Sequence, residues 1–459
     1  MKDMLSKILV VKTLAYLMIG LAIALIIVAF IGLDRNKQVQ INLEGKKLNK
    51  VSVFNTEHIK NIHAYENLDN NIIAIDISFK GGGALDPIGY EGLSHFLSLV
   101  LMQGNSGLSP YEFNKLLDDY SIKLSVTSGR DFFNIHITTL TYYRQKAFDV
   151  LSMIINASDF SPSTIDLVKN DVRSSLALQK DDNKFLLNKA LRNNLFRGHK
   201  YYRDSIGNTN ALLKFNAKDV KDFKQKLFTK DNLYLSVSGN INNAEITKVL
   251  DPIFMNLPDG NAKFLSLKKI SPKITRKIID IPYYNAKQSD ITMVLNLPFA
   301  DNTSLAYFNV INAYLGGIPD SVLFNDLRNK NGLVYFVSSG IYNDNLSKFW
   351  LINLGSDPSQ SKEAIARVQN LLKDLKAGSY NFNDIIIARN WLINNSLKVF
   401  TSNDYFSSFL TDLQLENKTI EEYLNEEKLI SNISEDNIKD IINKLDVENV
   451  LTLRIVPKK

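Results

Sequence analysis

The stretches VKDFKQKLFTKDNLYLSV (residues 220–237) and IKDIINKLDVENVLTLRI (438–455) carry one pattern twice: a helix, a Lys-Leu near its end, an Asn, then a β-rich strand. This repeat constrains the fold more than any local motif, because it requires two similar domains rather than one continuous α/β unit. The starts of the two halves agree with it. NIIAIDISFKGGG (71–83) and SDITMVLNLPFA (289–300) read as strands, each followed by an apolar helix, Gly92 to Gln103 in the first half and Ser304 to Leu315 in the second. A second helix, paired strands in IKLSVTSGRDFFNIHITTL and LVYFVSSGIYNDNLSKFWLINLG, and long amphipathic helices complete each half. The expected class is α+β, with two similar domains that are each a mostly antiparallel sheet with helices packed on one face. The polar stretch PDGNAKFLSLKKISPKIT (258–275) places the linker at 261–275, between an N-terminal domain over 37–260 and a C-terminal domain over 276–459.

Ahead of the first domain, Thr13 to Leu33 is a run of 21 residues without a charge, about the ~20 that a membrane-spanning helix needs. Lys2, Lys7 and Lys12 precede it and Arg35 and Lys37 follow it, which together with the free N-terminus favours a cytoplasmic N-terminus. A cleaved signal peptide would have a shorter apolar region ending in a small-x-small site, whereas this run ends in AFIGLD. The expectation is an uncleaved transmembrane anchor over 1–36 that holds the bulk of the chain on the periplasmic side of a bacterial inner membrane. The formal charge of +6 is a mild excess for 459 residues, and no dense Lys/Arg patch with interleaved aromatics is present, so no nucleic-acid partner is expected. The chain has no cysteine, which excludes disulfides, thiolate metal sites and a Cys nucleophile.

Two motifs carry the chemistry, GLSHFLSLVLMQG (92–104) in the first half and SVLFNDLRNKNGLVY (321–335) in the second. Together they resemble the pitrilysin/insulinase family of zinc metallopeptidases, in particular its short bacterial and mitochondrial-processing-peptidase-like members, over nearly everything after residue 50. YLGG (314–317), NNLFRGHKYYRDSIGNT (193–209) and TKDNLYLSVSGNI (229–241) add coverage, departing from the family pattern at Lys200, Asn208 and Lys230. The resemblance implies an inverted zinc motif, H-x-x-E-H, on the first helix. Two histidines one turn apart would hold the metal, and the Glu would activate its water. His95 stands at the first ligand position, but Ser98 replaces the Glu and Leu99 the second His. The third ligand, a Glu on a later helix, falls near Ser174 or Ser175, with Asp171 one turn earlier as a shifted alternative.

A zinc site of the hydrolytic kind needs three protein ligands, and one imidazole does not retain the ion. No metal and no cofactor are therefore expected in this chain. Glu91 reads as a solvated or capping residue, and His58, His63, His136 and His199 lack metal-ligand spacing. What the resemblance does preserve is the family's second-domain signature, in which an Arg and a Tyr, here Arg328 and Tyr335, bind the substrate peptide and steady the oxyanion. It implies a membrane-anchored, non-catalytic subunit that forms a heterodimer with a zinc-bearing homologous peptidase subunit and acts with it on a peptide or unfolded protein. Two alternatives stay open: a structural or assembly protein of a membrane complex, and an autonomous metallopeptidase with unusual ligands.

Overall fold

The computed structural model describes residues 48, 50–104, 107–179, 182–260, 272–284, 286–299, 301–343 and 347–458. The expected anchor over 1–36 and most of the expected linker lie outside them. Among the described residues, no helix is long and apolar enough to cross a membrane.

In the first half the order is β1 (Ser52–Phe54), β2 (Ile62–Glu66), β3 (Ile72–Lys80), α1 (Leu93–Val100), α2 (Pro110–Asp119), β4 (Lys123–Ser128) and β5 (Phe132–Leu140). Then follow α3 (Arg144–Asn156), α4 (Pro162–Gln179), α5 (Asn183–Leu195), α6 (Thr209–Leu212), α7 (Ala217–Leu227), β6 (Leu233–Gly239) and α8 (Asn243–Phe254). The second half runs β7 (Lys277–Tyr283), β8 (Ser289–Asn296), α9 (Asn302–Asn312), β9 (Phe336–Asn343), β10 (Lys348–Ser356), α10 (Ser361–Lys376) and α11 (Phe382–Ser396). It closes with α12 (Asn403–Leu415), α13 (Ile420–Ser431), α14 (Glu435–Lys444) and β11 (Val450–Pro457).

The repeat read from the sequence is a repeat of topology. The sheets are ordered β1-β2-β6-β3-β5-β4 and β7-β11-β8-β10-β9. Each closes by laying its last strand between an early strand, in parallel (β2 with β6, β7 with β11), and the next one, antiparallel (β3 with β6, β8 with β11). The two similar tails are α7 with β6 and α14 with β11. Alternation along β3 sends Ile73, Ile75, Ile77 and Phe79 into a core with Phe96 and Leu97 of α1, Phe148 and Leu151 of α3, and Phe223 and Leu227 of α7. In the second half, Met293 and Leu295 of β8 and Trp350 and Ile352 of β10 form the equivalent core with Phe308, Val368 and Ile442.

The expectation of helices on one face only needs correction, because each sheet is also covered on its other face by a helix from the other half. Helix α5 packs on β8 and β11, where Leu187, Leu191 and Leu195 meet Val294, Leu451 and Leu453 in a dry contact. Helix α12 packs on β3 and β6, and this contact is polar. Gln414 donates to Ser236 Oγ at 2.8 Å, Asn403 to the Ile72 carbonyl at 2.7 Å, and Ser408 to Asp76 Oδ2 at 3.0 Å. The bare sheet faces explain the exchange, since a sheet inside a molecule has to bury both sides.

Candidate functional site

Helix α1 is set by tight backbone packing and a buried carboxylate. Gly92 adopts φ +93°, and a Cβ there would lie 2.5 Å from the Ile206 carbonyl oxygen, so the chain entering α1 can press against residues 206–207 only as glycine. Asp86 accepts from the Gly92 and Ser94 backbone N–H groups at 2.6 and 2.9 Å. This satisfies donors that open a helix. Burial pushes the Asp86 carboxyl up to about 7, against the opposing pull of those two donors. Arg203 closes the entry, donating from Nη1 to the Asp86 carbonyl at 2.8 Å and lying 3.8 Å from Glu91. Glu91 accepts from the Gly89 N–H at 3.0 Å, a bond within the turn ahead of α1 that caps no helical N–H.

The three motif positions on α1 take different places. His95 is half-buried, and burial lowers its pKa below the ordinary histidine value, with Asp204 partly opposing. Ser98 is buried, and its hydroxyl donates to the carbonyl of His95 at 2.7 Å, back into its own helix. Leu99 packs against the core. Helix α4 runs beside α1, but Asp171, Ser174 and Ser175 on it are exposed, and the Ser174 hydroxyl is spent on the Asn170 carbonyl at 3.0 Å. Among the described residues, His95 belongs to no cluster of three potential metal ligands. Zinc content measured on the purified chain is therefore expected to be the same for wild type and His95→Ala. A loss of zinc in that variant would put a metal at the motif after all.

In the second half, α9 runs on into π-helical turns, Ala313–Gly317 and, after a break, Phe324–Lys330. Such turns interrupt α-helices mostly at functional positions. The second one is anchored from beneath, because Arg367 grips Asp326 with two bonds of 2.6 Å. Arg328, on the same turn, makes no such pair. Its Nη1 donates to the Val334 carbonyl at 2.7 Å, which draws the guanidinium to the segment that ends in Tyr335. Arg328 is exposed and Tyr335 is 53% exposed, although the Tyr335 N–H is fixed to the Gly355 carbonyl at 2.7 Å. The backbone is held while both side chains face outward. Tyr335 leads directly into β9, one of the two edge strands of its sheet.

None of His95, Arg328 and Tyr335 lines either of two cavities in the molecule. One, of about 910 Å³, is walled by Phe160, Lys224 and Asn256, and the other, of about 880 Å³, by Arg130, Tyr342 and Asp412.

Residues 63–209 match the family model described as Insulinase (Peptidase family M16), and residues 214–388 match the one described as Peptidase M16 inactive domain. The chain belongs to peptidase family M16. Among M16 relatives, it is 24% identical over 392 residues to the Non-peptidase homolog YmxG of Helicobacter pylori, covering 84% of this chain and 89% of that protein. It is 23% identical over 316 residues to the Uncharacterized zinc protease YmxG of Bacillus subtilis, covering 67% and 75%. The fold is that of a solved M16 inactive domain from Pseudomonas fluorescens, with a TM-score of 0.80 at 18% identity, covering 89% of this chain and 98% of that one. A protease from Helicobacter pylori gives 0.78 at 15%, covering 89% and 100%.

Sequence reasoning missed Asp86 and Arg203. Asp86 caps α1 from six residues upstream of Gly92, outside the spacing at which a side chain ordinarily caps the helix that follows it.

Proposed function

We propose that this chain is the non-catalytic subunit of a two-component M16 peptidase, bringing Arg328 and Tyr335 to a peptide held by a zinc-bearing homologous subunit. One contrast carries the reading: Ser98 and Leu99 are turned inward with no ligand to offer, while Arg328, on an anchored turn, and Tyr335, just ahead of β9, are exposed. Neither lines the two cavities described above, and a second chain would supply the opposite wall of a site. A guanidinium offers a forked set of donors to peptide carbonyls, and a phenol one aimed proton to a developing oxyanion. A substrate held extended could add its backbone to the edge strand β9. The catalytic zinc would sit in the partner. With the uncharged run Thr13 to Leu33 as a single-pass anchor, the assembly would work at the periplasmic face of a bacterial inner membrane.

The test is reconstitution with a homologous chain that has an intact H-x-x-E-H. Neither chain alone should cut an unfolded polypeptide at an appreciable rate, and the mixture should cut it and elute as a heterodimer. A stable heterodimer with no gain in activity would favour a structural role in assembly. Cleavage by this chain alone would favour an autonomous hydrolase.

A further inference from the structure

The segment between β1 and β2 is tied to α8 through one buried carboxylate. Asp251, 8% exposed, uses Oδ1 twice, accepting from the His58 backbone N–H at 2.8 Å and from the Thr56 hydroxyl. Its other oxygen, Oδ2, faces His58 Nε2 at 4.0 Å. With the carboxylate of Glu57, the three side chains offer ligand atoms that all lie within 4.8 Å of one another. No other such group of three exists among the described residues. The nearby cation, Lys60, is turned to Asp231 at 3.8 Å.

We propose that Glu57, His58 and Asp251 form a binding site for one divalent transition-metal cation, with zinc the best-matched ion, that clamps the lead-in segment of the first sheet onto α8. The donor set decides the class. One imidazole nitrogen and two carboxylate oxygens suit zinc, whereas magnesium and calcium take all-oxygen shells. Ligand atoms bonded at about 2.0–2.2 Å around a tetrahedral ion lie roughly 3.5 Å apart, so a small rotation of His58 closes the 4.0 Å gap. Water completes the shell. Asp251 is already held in the way a metal-binding carboxylate is held, one oxygen fixed by two donors and the other left for the ion. Two carboxylates and a neutral imidazole match a dication in charge. The site is separate from the degenerate motif, because His95 is not among its ligands.

The experiment is titration of the metal-stripped full chain with zinc chloride and cobalt(II) chloride, followed by calorimetry and by the visible absorption of bound cobalt. One ion per chain is expected, with at least tenfold weaker binding in His58→Ala and in Asp251→Asn and unchanged binding in His95→Ala. Asp251→Asn keeps the Oδ1 acceptor, so the tie to Thr56 and His58 survives, and its metal-free melting temperature should equal that of the stripped wild type. No binding by wild type, or equal binding by wild type and His58→Ala, overturns the proposal. Binding lost in His95→Ala but kept in His58→Ala overturns it too, and also removes the ground for placing the catalytic zinc in a partner.

Discussion

In the proposed two-chain peptidase, Arg328→Ala and Tyr335→Phe should each lower kcat/KM by about tenfold to a thousandfold while leaving the heterodimer intact, the range for losing a substrate clamp or one oxyanion donor. The two losses should divide differently. Tyr335→Phe removes only a hydroxyl from an exposed ring whose backbone stays bonded to Gly355, so it should act mainly on kcat if the phenol serves the transition state. Arg328→Ala should act more on KM if the guanidinium holds the ground-state peptide. It also breaks the bond to the Val334 carbonyl. Arg328→Lys is the control, since it keeps the charge without the fork and should recover only part of the loss. Unchanged kinetics in both variants, with the complex formed, would reduce the pair to surface residues of an assembly platform.

The repeat was legible because it lies in periodicity: the alternation in β3 and β8 and the helix-then-strand tails at 220–237 and 438–455 are local patterns. The two motifs were read from a family resemblance instead, and the structure puts His95, Ser98 and Leu99 on the first helix, Arg328 on the turn Phe324–Lys330 and Tyr335 just ahead of β9. The exchange of helices between halves was not legible. The face of α12 that meets the first sheet is built of Asn403, Ser407, Thr411 and Gln414, all buried, and a polar stripe at helical spacing reads as a face turned to water. Its partners Asp76, Ser78, Ser236 and Ser238 alternate with core residues on their strands and are buried as well. Gln414, Asn403 and Ser408 bond across to Ser236, the Ile72 carbonyl and Asp76, a match between distant segments that no local rule can foresee. Asp251 is the same kind of case, because it meets His58 across 193 positions of chain. The exposure of Arg328 could not be read either, since an Arg-to-carboxylate pair fits the same sequence. Such a pair does exist two residues away, at Asp326 with Arg367.

That polar contact should stabilise the molecule less as pH rises from the mildly acidic range. His136 on β5 stands between two carboxylates, with Nδ1 2.7 Å from Asp76 Oδ2 and Nε2 2.6 Å from Asp404 Oδ1 of α12. Only an imidazolium donates to both at once. Burial lowers the pKa of His136, but hydrogen bonds to Asp76 and Asp404 and their charges outweigh it, and the net shift is upward. A raised histidine contributes its full stabilisation below its unfolded pKa of about 6.5 and loses it as pH climbs through the folded value. Asp412 on α12 acts in the same sense. Burial, then Asp76 and Glu416, push it up to about 6, so its share of stability is lost between the ordinary carboxyl range and about pH 6 and adds no slope above that. Asp404 is shifted down, with burial opposing the shift and the bonds from Thr138 and His136 and the charges of His136 and Lys123 producing it, so its contribution is lost only in strong acid. The contribution of His136 to the melting temperature should therefore decline as pH rises above about 6.5, although Lys224, which burial lowers to about 7, pulls the stability of the whole molecule the other way above that value. Hydrogen exchange in α12, corrected for intrinsic rate, should quicken before that of α5. His136→Gln should flatten most of that slope and lower stability at pH 6 by about 3 kcal/mol, the low end for breaking a buried ion pair at one partner. An equal slope in wild type and His136→Gln would show that the contact is held by its neutral hydrogen bonds alone.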